Sequence, residues 1–418
     1  MTLKTRKYSF LITDVRKTFG KIFGILLITS QYLRTPKITQ TRDLKMALET
    51  YVKAGVTLPK GWMQSEQGTI NEFFEEKVRT ALKERAAHDS SITLKSCSAS
   101  ECLHYAKVLM RGMPIALVDH QGCNSYTLIC PELDRIIQFR ATEVNTKAID
   151  EAKQIYGDLV ASATQHDDFV LPVYTYNILP GRLHVWQKVS RDSFPLAREK
   201  KTIIDLAKFI ATASHFPHPE ARYNARSWTK CANAVVKRLE QNFSLRQIAP
   251  AVYTEIASLG ARLHLLDILP AVLTHVDLVG QNIFVDGDVG TLTGVIDFEE
   301  ARTEAFGMNV FTIYENHVGS MEGGHWSPYD MPAGGEHPGL SVSEVLTKAF
   351  WDALWANTAP GFGRRDFEEA VGVALKVGII NRYFVRGMLD EIDLAKWVHV
   401  ISFDYAREIL LHLRDTGR

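Results

Sequence analysis

Between Leu273 and Ala301 the chain reads LTHVDLVGQNIFVDGDVGTLTGVIDFEEA, with His275, Asp277, Asn282 and Asp297 set among apolar runs. Burying an Asp between Val276 and Leu278 is costly unless the carboxylate has partners or a task. The pattern predicts a short strand over Ile283–Val285, a turn at DGDVG and a second strand over Leu292–Ile296. In a hairpin the start of the first strand lies beside the end of the second, so Asn282 and Asp297 meet there. An amide oxygen and a carboxylate are hard donors suited to Mg²⁺, which keeps phosphates and waters in its shell. Asp277 precedes Asn282 in the loop that enters the hairpin and is placed to face whatever the metal holds. Taken singly, the residues have blander readings. His275 would be a buried ring satisfied by the backbone, Asn282 a turn former and Asp297 a helix cap. Jointly, at this spacing, they read as chemistry.

The elements that must position these groups divide the chain in two. Asp43 to about Ala87 has a helical pattern broken at Pro59. SASECLHYAKVLMRG is a helix capped at Ser98 or Ser100, with Glu101 in its first turn and Gly112 ending it. IALVDH, SYTLIC and RIIQFRA are β-like runs separated by turn signals. TKAIDEAKQIYGDLVASA is helical, and FVLPVYTYNI and RLHVWQKV read as two more strands. From about Arg191 the pattern is mainly helical apart from the opening stretch. The fold class is therefore α+β with two lobes: an N-terminal extension over 1–60, a β-rich lobe over 61–188 and a larger, mainly helical lobe over 189–418.

Composition narrows the class of function. Hydrophobic residues make up 46% and charged residues 23% of the chain, as in ordinary globular proteins. Formal net charge is zero, which argues against a nucleic-acid partner. The five cysteines are scattered and form no CxxC pair, which points to reduced thiols, a cytoplasmic setting and no zinc site. The basic N-terminus has an apolar run, Ile22–Ile28, too short to span a bilayer, and no small-residue cleavage site. Stable membrane insertion is not expected.

The spacing His-x-Asp-x-x-x-x-Asn, followed by a strand and an Asp, is that of the catalytic loop and metal-binding Asp of protein kinases. HVDLVGQN with GVIDFEEA behind it resembles the aminoglycoside phosphotransferase and choline kinase-like family. SASECLHYAKVL, LVDHQGCNSYTLIC, IIQFRA and IYGDLV resemble a branch common among filamentous fungi. Together these runs cover roughly residues 92–320. The resemblance implies a bilobal protein kinase-like fold and ATP- and Mg²⁺-dependent phosphorylation of a small-molecule hydroxyl. By the same resemblance Asp277 is catalytic, with His275 as the motif histidine beside it, and Asn282 and Asp297 hold the metal. HQGCNSYT takes the place of the phosphate-covering loop, with Gly122 at the turn and Asn124 and Ser125 near the phosphates. Arg140 stands as the basic residue of the third strand, able to hold the α- and β-phosphates. Glu151 pairs with it, in competition with Asp158. WQKV, with Gln187 and Val189, falls where the linker would cover the adenine. The chain departs from the pattern in Val276, in a loop with a single glycine, in Arg replacing the third-strand Lys, and in DFE replacing a glycine-ended triplet.

Beyond Ala301, Glu304, Tyr314, Glu315, Glu322, His325 and Trp326 mix acids with aromatics. They could form a wall for a cationic acceptor, or a plain loop between helices, and Gly323 and Gly324 sit where a lid could flex. The main reading is a small-molecule kinase. The alternative is a degenerate kinase-like binding or scaffold protein. A protein kinase is disfavoured, because no activation segment or APE-like anchor follows Asp297.

Overall fold

The computed structural model describes residues 66–88, 96–118, 121–187, 189, 191–218, 223–322, 325–385 and 397–417. The expected N-terminal extension and the Gly323–Gly324 lid lie outside them. Two compact units result. Among the described residues, the first holds those within 66–153 and 160–179, and the second those within 154–159 and 180–417.

The first unit is built on a five-stranded antiparallel sheet in the order β1-β2-β3-β5-β4. Its strands are β1 (Ala116–Leu117), β2 (Ser125–Cys130), β3 (Arg135–Arg140), β4 (Ala163–His166) and β5 (Val173–Asn177). The helix Ala99–Leu109 starts at the expected cap: Glu101 N–H donates to Ser98 Oγ at 3.3 Å, and Ser98 N–H donates back to Glu101 Oε2 at 2.8 Å. It docks on the sheet through aromatic contacts. Tyr105 and Phe139 both pack on Phe169, with ring centroids 4.6 and 5.4 Å away.

Two expectations from the β-like runs need correction. Among the described residues of IALVDH, only Ala116–Leu117 are strand. Among the described residues of RLHVWQKV, the strand is β6, Arg182–Leu183, before a 3₁₀ turn over His184–Trp186. The ladder stops there because Val185 N–H turns away to donate to Gly280 O at 3.0 Å. The helical reading of 146–163 also ends early, at Tyr156. Gly157 takes φ +59°, and Ala163–His166 becomes an edge strand whose polar sequence carried no alternation signal.

The second unit carries β7 (Ala271–Thr274), β8 (Ile283–Val285), β9 (Leu292–Val295), β10 (Arg302–Ala305), β11 (Gly319–Glu322) and β12 (His325–Pro328). β7 pairs with β10, β11 with β12, and β6, β8 and β9 form a three-stranded sheet. Around them lie the helices Leu196–Thr212, Trp228–Glu240, Pro250–Gly260, Val342–Ala356, Arg364–Ile380 and Trp397–Asp415. The helix Leu196–Thr212 buries Ile203, Leu206 and Ile210 at helical spacing. Gly378 lets the helix Arg364–Ile380 meet the backbone of Met308, since a Cβ there would lie 2.0 Å from Met308 O. An α+β protein with a β-rich first part and a helix-rich second part is what the pattern predicts.

One acid ties β10 to the helix Trp228–Glu240. Glu304 is fully buried and accepts from Ser227 Oγ, Trp228 N, Thr229 N and Arg302 Nε at 2.7–2.9 Å. A carboxylate there meets the unpaired N–H groups of the first helical turn. Glu304→Ala strands these donors, so urea denaturation of the variant is expected to show a loss of about 3 kcal/mol or more. An unchanged midpoint would contradict the anchoring role.

Candidate active site

The β8–β9 hairpin forms with Ile283 opposite Val295, and Ile296 N–H donates to Asn282 O at 2.9 Å. Asn282 thus faces Ile296, and Asp297 follows immediately. The turn is organised by Asp286, whose Oδ1 accepts from the N–H groups of Asp288 and Val289 at 2.9 Å. Those two bonds hold its carboxyl below the usual carboxylate range.

The loop from His275 to Asn282 is tied to this hairpin atom by atom. Buried His275 donates from Nε2 to Ile296 O at 2.8 Å and accepts Asp277 N–H on Nδ1 at 3.2 Å. Its ring also stands edge-on to Phe298, 4.7 Å between centroids. Both nitrogens are spent on the main chain, the backbone-satisfied reading of this residue. Asn282 Nδ2 donates to Asp277 O at 2.8 Å. This fixes the amide and leaves its oxygen, Oδ1, as the atom offered to a cation. Asp297 is half-buried and holds φ 72°, ψ 43°, the left-handed region, one residue before the 3₁₀ turn Phe298–Glu300. Such a backbone costs of order 1–3 kcal/mol away from glycine, less for Asp, and persists where the surroundings dictate it.

One functional neighbour was not anticipated. Arg382, in the turn of π-helix that continues the helix Arg364–Ile380, donates from Nη1 to Asp277 Oδ1. The rest of its guanidinium grips Glu315 bidentately, Nε to Oε2 at 3.2 Å and Nη2 to Oε1 at 3.1 Å. Tyr383 Oη donates to Glu315 Oε2 at 2.9 Å. All four residues are buried. Burial alone would push Arg382 toward the neutral form, but the Glu315 and Asp277 carboxylates overcome it and hold the guanidinium firmly charged. Burial, then the Glu315 charge, pushes the Tyr383 hydroxyl well up, so it stays a donor. A signal existed in the sequence: the helix before Arg382 is apolar nearly all round, VGVALKVGII, so a charge following it has no solvent face.

The residues expected around the nucleotide lie in different units. In the first, Ser125 and Arg140 are directly opposed across β2 and β3. Gly122 O accepts Ser125 N–H at 3.4 Å, and Gln138 bridges the pair, donating to Ser125 Oγ at 3.2 Å and accepting from Arg140 Nη1 at 3.5 Å. Gly122, Ser125 and Arg140 are therefore gathered. Asn124 is half-buried in the preceding turn, and Glu151 is half-buried within the helix Thr146–Tyr156. Gln187 and Val189 belong to the second unit, with Gln187 buried at the end of the 3₁₀ turn His184–Trp186.

The acid and aromatic wall does not assemble. Glu304 is the helix anchor described above, and Glu315 is committed to Arg382. Tyr314 and Trp326 are core, with Trp326 Nε1 donating to Tyr314 O at 2.7 Å. His325 lies against Asp404 at 3.3 Å. Glu304, Glu315, His325 and the Trp326 indole each meet a structural partner, while the Glu322 side chain lies outside the described ones.

Residues 162–327 match the model of the phosphotransferase enzyme family. This span holds His275, Asp277, Asn282 and Asp297 but not Gly122, Arg140 or Arg382. No curated protein matches the chain. Among similar solved structures is an ethanolamine kinase of Plasmodium vivax, at 14% identity and TM-score 0.45, covering 80% of this chain and 96% of that one. A macrolide 2'-phosphotransferase of Brachybacterium faecium shares 14% identity at TM-score 0.46, covering 72% of this chain and 96% of that one. An aminoglycoside phosphotransferase of Streptomyces rimosus, solved with ADP and streptomycin, shares 13% at TM-score 0.37, covering 66% and 98%. Likenesses this low carry no functional weight beside the site itself. The segment 162–327, with its hairpin and the loop that enters it, is thus the part of this chain that is similar to the phosphotransferase enzyme family.

Proposed function

We propose that the protein is an ATP-dependent phosphotransferase that moves the γ-phosphate to a hydroxyl of a small molecule. One observation carries the reading: Asn282 Nδ2 holds the backbone of Asp277 at 2.8 Å while the hairpin brings Asp297 to the same end. An acid, an amide oxygen and a second acid are thereby locked into one local frame.

Asp277 would orient the acceptor hydroxyl and take its proton as the phosphoryl group transfers. Arg382 is a positioning residue that holds this carboxylate in place by a direct ion pair. His275 braces the loop through its two backbone bonds. Asn282 Oδ1 and the Asp297 carboxylate fit Mg²⁺, since both are hard oxygen donors and the amide is already oriented. When bound, the ion would neutralise charge across the phosphates. In the first unit Arg140, Ser125 and the Gly122 turn would hold phosphate oxygens, with Asn124 and Glu151 beside them. Gln187 and Val189 would meet the base. The cytoplasm is the compartment we assign.

The second reading, a kinase-like binding or scaffold protein without turnover, is supported by a specific feature. Arg382 occupies the Asp277 carboxylate directly.

Calorimetry with ATP, with and without Mg²⁺, tests the metal role. Affinity should depend on Mg²⁺ in the wild type and lose that dependence in the double variant Asn282→Ala, Asp297→Ala. Metal-independent binding, or none, would sink it.

A screen of hydroxylated metabolites with ATP and Mg²⁺ separates the two readings. Once an acceptor is found, Asp277→Asn should lower turnover by about 10²–10⁴-fold with nucleotide affinity little changed. Full activity in Asp277→Asn would remove it from the chemistry.

Arg382→Met leaves Asp277 and Glu315 buried without their cation. Thermal and urea denaturation should show a loss of about 3–5 kcal/mol. A variant as stable as the wild type would mean that the cation is not needed there.

A further inference from the structure

Three residues that the proposed transfer reaction does not use converge in the second unit. His184 lies in the 3₁₀ turn after β6, Glu199 on the helix Leu196–Thr212, and His317 just after the helix Thr312–Asn316. Each is at most 4% exposed. His184 Nε2 and Glu199 Oε2 are 3.0 Å apart. The rings of His184 and His317 stack with centroids 4.4 Å apart. One ligating atom from each residue lies within 4.8 Å of the other two.

His317 is the telling member. Neither of its ring nitrogens has a hydrogen-bond partner among the described residues, although the ring is 2% exposed. An imidazole always presents a donor or a lone pair at each nitrogen. Leaving such a group buried and unmet costs about 1–3 kcal/mol. A buried water would be the ordinary remedy, but here the neighbours are a second imidazole and a carboxylate.

We propose that His184, Glu199 and His317 form a binding site for one divalent transition-metal ion of the zinc type. Two imidazoles and a carboxylate are a recognised three-ligand set for that ion, with a water completing the sphere. Zinc–nitrogen bonds of 2.0–2.1 Å bring tetrahedral ligands to about 3.3 Å apart, so a turn of the His317 ring closes the remaining gap. Glu199 Oε1 is held by Arg198 Nε and Nη2 at 2.9 and 2.8 Å, which orients the carboxylate and leaves Oε2 facing His184. A bound carboxylate supported in this way is a common feature of metal sites.

The second His-and-acid cluster, His325 with Asp404 and Glu408, lacks these features. Arg407 already pairs with both of its carboxylates, and His325 is exposed. The proposed site also differs in chemistry from Asn282 and Asp297, which offer oxygen alone.

The location suggests a brace. Val185, next to His184, donates to Gly280 O in the loop that carries Asp277. Glu315, two residues before His317, grips Arg382. An ion at the three residues would pin together the loop and the segment that supplies the partner of Arg382. The site stands whether or not the chain transfers phosphate.

The test uses the full-length protein, stripped with a chelator, dialysed and titrated with Co²⁺ alone. The expected result is one equivalent bound, with visible d–d absorption of a low-coordinate ion that Zn²⁺ displaces. His317→Gln and Glu199→Gln should each weaken Co²⁺ binding by about 100-fold or more, while His325→Gln, in the second cluster, binds as the wild type does. Zn²⁺ should raise the Tm of the wild type and not that of either ligand variant. If His317→Gln fails to fold, Glu199→Gln gives the same reading. Absence of stoichiometric Co²⁺ uptake by the wild type, or uptake unchanged in the ligand variants, overturns the proposal.

Discussion

A single buried cation governs the charge balance of the second unit's centre. Arg382 is sealed from solvent between two carboxylates, Asp277 and Glu315, and over the rings of Phe311 and Tyr383. Buried ion pairs rarely out-stabilise well-packed apolar residues of the same volume, because desolvation offsets most of the attraction. Their value is in placement. A bidentate grip on Glu315 fixes the guanidinium plane, and the remaining Nη1 then reaches only one place, the Asp277 carboxylate. Without it both carboxylates would be buried with no counter-charge on this side chain's side, which is costly. The close contact of Gly378 with the Met308 backbone helps set where Arg382 arrives, so helix packing reaches the carboxylate through a single side chain.

The same centre is held from below by main-chain bonds. His275 spans from Ile296 to Asp277, and Asn282 ties back to Asp277. Two of these bonds tie the loop to the hairpin and its start, and the third, from Asp277 N–H to His275 Nδ1, folds the loop on itself. Each uses a polar group in a setting where an unmet one would cost more than the bond contributes. The left-handed backbone at Asp297 follows from this closure. With Ile296 bonded on both sides, the chain must turn sharply at the next residue to enter the 3₁₀ turn, and Asp tolerates that conformation better than most.

Much of the local frame was legible in the residues themselves. The hairpin could be read because DGDVG is strong turn chemistry between two short apolar runs, and strand register then follows from turn length. The capping box at Ser98 and Glu101 was equally plain. Arg382 was not, because sequence spacing says nothing about a partner 105 residues away. The trio of His184, Glu199 and His317 escaped for the same reason, and because metal sites are recognised in sequence by short spacings that these residues lack. Glu304 misled for a different reason. An acid next to aromatics is the pattern of a cation-binding wall and also that of a helix anchor in a core. Only the positions of Trp228 N and Thr229 N decide between them.

The contrast between Glu304 and His317 shows how buried polar groups separate into two kinds. Glu304 accepts from four residues and needs nothing further, so it is accounted for by the fold alone. His317 is as deeply buried and meets no hydrogen-bonding atom among the described residues. Native interiors leave few such groups, and those that remain call for an unseen ligand or a functional use. A water molecule can meet a bare imidazole nitrogen, but two imidazoles converging with a carboxylate already oriented by Arg198 are also a donor set for one cation, and that convergence is what favours the cation here.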